Sequence, residues 1–231
     1  MMIGPGAYYE FHLKGKNADQ IMTAIRGLKQ EMGRLKNIAE HPDYQCMMHP
    51  SEAVRISCMR DYLAVAKEAL VEAGGTYTPS KAELKAEELN ANIPHICKVE
   101  FSIGGYFDGY ETRTYTIDGD VVAEDVEHTL MREPSYMYDP DPDDVIVKED
   151  FLNGLSDLYI GEWRKRYDPS RFGYMVLDGT QWHLELYFSN GHKPVKIYGS
   201  NAYPYNFDRL LDLLNIDPWS REDEDGEDED N

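Results

Sequence analysis

The sequence predicts an α+β fold: an N-terminal antiparallel helical hairpin beside an antiparallel β-sheet (βββ-α-βββ-α) with helices on one face. Three observations lead there. Apolar residues recur with a helical period as far as Asn90, the period changes to two from His95 onward, and a strand-turn-strand unit lies between Asp178 and Pro204.

Ala7 to Lys14 alternates as a first strand would, and Gly15-Lys16-Asn17 offers a turn and an N-cap. Ile21, Ile25, Leu28, Met32 and Leu35 then form one helical seam that ends near His41-Pro42. A second helix opens at Pro50-Ser51-Glu52, carries Val54, Cys58, Tyr62, Val65 and Ala69 along one stripe, and stops at Gly74-Gly75. Ser80 and Glu83 have capping-box spacing and start a short third helix, which Asn90 to Pro94 closes. A boundary there divides the chain into 1–92, 93–216 and an acidic tail, 217–231, that should be disordered.

In the second region His95 to Ile103, Tyr110 to Ile117 and Val121 to Met131 read as a three-stranded meander, with turns at Gly104 to Gly109 and Asp118-Gly119-Asp120. A proline and aspartate loop follows, then an amphipathic helix over Lys148 to Tyr167 and a short strand over Phe172 to Leu177. Trp182, Leu184, Leu186 and Phe188 fall on one side of the next strand, with Gln181, His183, Glu185 and Tyr187 on the other. Asn190-Gly191 permits a tight reversal, so Val195 and Ile197 continue the buried face while Lys196 and Tyr198 continue the wet one. Gly199-Ser200-Asn201-Ala202-Tyr203-Pro204 leads out into a final helix over Asn206 to Leu214. This unit, with its D-G-x-x-W, hairpin and G-S-N-A-Y-P exit, resembles the C-terminal part of an uncharacterised domain of gut anaerobic bacteria. The resemblance covers about the last quarter of the chain and implies no activity.

Charge is the strongest global signal. Forty-three acidic residues against 23 basic ones leave a net of −20, of which the tail carries −8 and the other 216 residues −12. Such a field disfavours direct binding to nucleic acid or an anionic membrane and favours a basic protein surface or cations. No apolar run reaches the roughly 18 residues of a membrane span, the N-terminus lacks a signal-peptide pattern, and Cys46, Cys58 and Cys97 have no framework spacing. A cytoplasmic protein is the expectation.

Four constellations bear chemistry. His41, Cys46, His49 and Cys58 are zinc-type ligands at a spacing that matches no known finger. Asp139, Asp141 and Asp143, with Asp150, match calcium-loop positions, although Asp144 replaces the turn glycine and Pro140 and Pro142 stiffen the loop. Glu124, Asp125, Glu127 and His128 on one strand and His183 and Glu185 on another are acid/base types, but alternation splits the first four between two faces. Arg164-Lys165-Arg166, with Arg171, Lys193 and Lys196, is the one basic cluster; it suits a helix C-terminus, and could also hold the tail or a phosphate.

No nucleophile elbow, phosphate loop, dinucleotide fingerprint or H-E-x-x-H occurs, so no cofactor is expected. Tyr106, Phe107, Tyr110, Tyr136, Tyr138, Tyr203 and Tyr205 fall in expected loops, where aromatic residues mark contact surfaces. The leading expectation is a non-enzymatic acidic protein that binds a basic partner, such as a nucleic-acid-handling enzyme, in the manner of acidic inhibitors of restriction or CRISPR nucleases. The alternatives are a small metal-dependent hydrolase with its site on the sheet face and a structural domain that oligomerises through the Ile21 to Leu35 seam.

Overall fold

The computed structural model describes residues 2–46, 49–106, 109–129 and 145–216. The fold is α+β. Helices α1 (Pro5–Tyr8), α2 (Ala18–Ala39), α3 (Glu52–Glu72) and α4 (Lys81–Asn92) precede strands β1 (Ile96–Gly105), β2 (Gly109–Asp118), β3 (Val121–Thr129) and β4 (Ile146–Val147). Helix α5 (Lys148–Asp157), strands β5 (Arg166–Tyr167), β6 (Gln181–Phe188) and β7 (Val195–Ser200), and helix α6 (Phe207–Leu213) complete it.

Asn17 and Gln20 close a reciprocal capping box on α2, Ser51 accepts from the Val54 N–H on α3, and Ser80 and Glu83 form a second box on α4. Ile21, Ile25 and Leu28 of α2 bury against Tyr62, Ala66, Ala69 and Leu70 of α3, while Met32 and Leu35 meet Ile56 near the start of α3. That pairing makes the two helices antiparallel. It also places the whole Ile21 to Leu35 seam inside the chain.

The sheet order is β4-β3-β2-β1-β6-β7-β5, antiparallel except for the short parallel pair of β5 with β7. Val99, Phe101, Tyr115, Trp182, Leu184, Leu186 and Ile197 share one core with Phe151 and Leu155 of α5 and Phe207, Leu210 and Leu211 of α6. Each such side chain removed from water contributes about 2 kcal/mol. The opposite sheet face carries Lys98, Glu100, Ser102, His183, Glu185, Tyr187, Lys196 and Tyr198, as the alternation requires.

Three local expectations are corrected. Residues 7–14 are not a strand: Pro5 starts α1, and the chain continues into a π-helical turn, Tyr9–Leu13, closed by the Lys14 N–H to the Tyr9 carbonyl. The turn stacks Tyr8 between His12 and Tyr62 and buries Leu13, which an extended segment would not achieve. The helix from Lys148 ends at Asp157 rather than Tyr167. Tyr159 takes a left-handed φ of 52° and its ring lies 3.8 Å from the Arg60 guanidinium, so Leu158, Ile160 and Trp163 can all bury. Residues 172–177 form no strand, because both hydrogen-bonding edges of β6 are occupied by β1 and β7.

Leu89 of α4 joins the sheet core, whereas the α2–α3 hairpin meets the sheet part largely through charge. Glu162, 29% exposed in its side chain, accepts from Lys36 and Arg60, and Arg60 also reaches the Tyr205 hydroxyl at 2.8 Å. Burial alone would raise the Glu162 carboxyl. The Arg60 hydrogen bond and the Lys36 and Arg60 charges outweigh it and hold the group below its ordinary value. Beside this node Arg171 and Arg164 converge on Glu40 at 2.7 and 3.4 Å, with Asn37 as a further acceptor. Arg164 and Arg171 thus clasp the C-terminal end of α2, while Arg166 pairs with Asp168; the helix end they meet is not that of α5, which stops well before them.

Glu162→Ala would leave two half-buried cations without their acceptor, and an expected loss of about 2 kcal/mol follows after allowance for solvent at the site. The depressed carboxyl stabilises the fold above the ordinary carboxylate range and loses that contribution as pH falls through its folded value. Urea unfolding of wild type and variant should therefore differ at neutral pH and converge in acid; a difference that persists in acid would contradict the assignment.

Candidate functional site

The acid/base candidates divide as the strand period dictates. Glu124 lies on the helix side, where it accepts from Arg113 at 2.9 Å and from the Tyr115 hydroxyl at 3.1 Å, and both donors also reach the Leu214 carbonyl. His128 shares that face. Asp125 and Glu127 share the open face with His183 and Glu185, yet β3 and β6 are separated by two strands, which sets the two pairs about 14 Å apart. They do not form one site.

On the open face Glu100 and Glu185 stand directly opposite each other. The Tyr187 hydroxyl lies 2.5 Å from Glu185 and 3.0 Å from Glu100, while Lys196 and Lys98 engage the two carboxylates at 2.7 and 2.6 Å. Hydrogen bonding from Lys98 holds Glu100 low; burial would raise Glu185, but Lys196 and Tyr187 outweigh it. Carboxylates held ionised in this way are weak proton acceptors. His183 stands beside Tyr198, with ring centroids 6.1 Å apart. The row is a satisfied cross-strand network.

The zinc-type residues do not converge. The His41 ring lies against Phe172 and Tyr174, Cys46 is exposed, and Cys58 packs against the α2–α3 core. No group of three or more His, Cys, Asp or Glu that could hold a metal ion occurs among the described residues. Asp139, Asp141 and Asp143 lie outside those residues, as do Phe107, Tyr136 and Tyr138. Asp150 falls in the first turn of α5.

The remaining loop aromatics separate. Tyr205 is partly buried against Met32, Leu35 and Ile56 and receives the Arg60 hydrogen bond, and Tyr203 packs on Phe207. Both act inside the fold. Tyr110 donates to Gln181 at 3.2 Å, and Tyr106, 69% exposed, follows β1 at the same end of the sheet.

At that end the segment before β6 presents Met175, 88% exposed, Val176, 50%, and Leu177, 98%. These are three consecutive large apolar side chains facing water. Val176 and Leu177, with Tyr106, Asp178, Gly179, Gln181, Ser200 and Asn201, border an open groove of about 400 Å³. The flanking Gly173 and Gly179, both at positive φ, make this segment a loop where the alternation alone predicts a strand.

The floor of the groove is built by the residues that carry the D-G-x-x-W and G-S-N-A-Y-P pattern. The Asn201 Oδ1 accepts from the Thr180 N–H at 2.9 Å and its Nδ2 donates to the Asp178 carbonyl at 3.2 Å, with Asn201 itself at φ 48°. A Cβ on Gly179 would lie 2.0 Å from that same Oδ1, and a Cβ on Gly199 would lie 2.0 Å from the Trp182 Nε1, which donates to the Ala202 carbonyl. The pattern is a mutual steric lock between the start of β6 and the end of β7.

No protein-family model, curated protein or solved structure matches this chain.

Gly199→Ala forces the fully buried indole to move, with an expected loss of about 3 kcal/mol. Gly179→Ala, strained by its φ of 135° and opposed only by a side-chain amide, should lose about 2 kcal/mol. Thermal and urea unfolding check both; unchanged stability in either would show that the lock is absent.

Proposed function

We propose that the protein is an acidic, non-enzymatic interaction module that binds a basic protein surface. The observation that carries this reading is the fate of its cations. Lys29, Lys36, Arg60, Arg113, Arg164, Arg171 and Lys196 are each engaged by a carboxylate of the same chain. With a net of −20, of which the residues before the tail carry −12, the surplus that faces solvent is negative. The exposed Tyr106 and Met175 to Leu177 add apolar contact area beside it, a combination suited to association.

The finer form of the proposal is a partner that handles nucleic acid, since its Lys- and Arg-lined groove offers the complementary field. The open-face row of Glu100, Glu185, Tyr187 and His183 supports a hydrolase less well, because both carboxylates already serve lysines.

Capture from a cell lysate at low salt, with the retained proteins identified by mass spectrometry, tests the reading. A variant whose tail acids in 217–230 are changed to Asn and Gln should retain the same basic proteins, which about 0.5 M salt should release. Retention that vanishes with the tail charges, or that salt leaves unchanged, would contradict it.

A further inference from the structure

We propose that the groove at the Tyr106 end of the sheet receives an arginine side chain from the basic partner. This deepens the function proposed above and rests on it. The lining supplies the parts such a side chain needs. Val176 and Leu177 offer an aliphatic wall for its methylene stem, the Asp178 carboxylate a counter-charge, and the exposed Tyr106 ring a face for a planar cation.

The groove is held in shape before any partner arrives. Asp178 Oδ1 accepts from the Gly179 N–H at 2.8 Å, which fixes the carboxylate, and the Asn201 amide bridges Thr180 to the Asp178 carbonyl. A volume of about 400 Å³ lies within the range of small-ligand sites. Charge selects among occupants. Among the described residues that line the groove the one charged side chain is Asp178, which opposes an anion. A second copy of this chain would bring another −20. Between the two cationic side chains, arginine suits the site better, because a planar guanidinium both stacks on a ring and forks onto a carboxylate, whereas an ammonium is a strongly hydrated point charge.

The test is a heteronuclear NMR titration of the full isotope-labelled chain with N-acetyl-arginine-N-methylamide, against the lysine and citrulline counterparts. Saturable shifts at Val176, Leu177, Gly179, Gln181 and Asn201 are expected with arginine, weaker ones with lysine and none with citrulline, which keeps the shape and lacks the charge. Asp178→Asn preserves the backbone carbonyl that Asn201 grips and should weaken arginine binding about tenfold with an unchanged melting temperature. Tyr106→Ala should weaken it about threefold. Equal shifts with citrulline, or unsaturable shifts scattered over exposed carboxylates, would overturn the proposal. The two proposals fail separately. A basic partner retained undiminished by Asp178→Asn removes the groove and leaves the interaction reading, whereas arginine saturation here without any salt-sensitive basic partner does the reverse.

Discussion

The structure turns on one carboxylate placed between two cations. Glu162 lies on the short turn after α5, and it draws Lys36 from α2 and Arg60 from α3 onto the sheet part of the molecule. Tyr159 and Tyr205 complete the shell, one by stacking on the guanidinium and one by accepting from it. Apolar packing of the α2–α3 hairpin at this seam is the small cluster of Met32, Leu35 and Ile56 with Met59, Leu63 and Tyr205, so polar geometry contributes to how the hairpin lies against the sheet. Leu89 of α4 joins the sheet core itself. Breaking such a partly buried node leaves charges without partners, which costs more than the pair contributes net.

The same economy explains the exterior. Glu40 with Arg164 and Arg171, Glu83 with Lys29 and Lys67, and Glu185 with Lys196 likewise engage cations of the same chain. At Glu40 and Glu83, as at Glu162, one carboxylate serves two cations, so the bases use up few of the acids. A molecule with nearly twice as many acids as bases then presents mostly carboxylates to water. Against that background the segment Met175 to Leu177, held by the Asn201 bridge to Asp178, sets three consecutive exposed apolar side chains beside a carboxylate.

Much of this was legible in the residues. Period-two alternation placed Trp182, Leu184 and Leu186 inward and Glu185 and Tyr187 outward, and the four-three spacing of Ile21 to Leu35 identified its partner as a second helix. Long-range electrostatics were not legible. Nothing local to Glu162 shows that it meets residues more than a hundred positions away, and that contact, through Tyr159, is what ended α5 early. Residues 7–14 and 172–177 misled for a related reason: short alternating stretches fit a strand pattern, but a strand also needs a free neighbouring edge. The groove escaped notice with the second of them. Val176 and Leu177 lie in a segment that reads as a strand yet face water, whereas the loop aromatics Tyr203 and Tyr205 pack partly buried on Phe207 and on Met32, Leu35 and Ile56.

The central claim is that negative potential covers the globular body and is not confined to the C-terminal tail. Paramagnetic relaxation of the backbone amides by a cationic and an anionic nitroxide cosolute of equal size reads the near-surface potential residue by residue. The account requires stronger relaxation by the cationic probe at exposed amides across β3, α5 and the segment from Met175 to Gly179. Equal relaxation by both probes at those positions, with a bias only over residues 217–231, would contradict it.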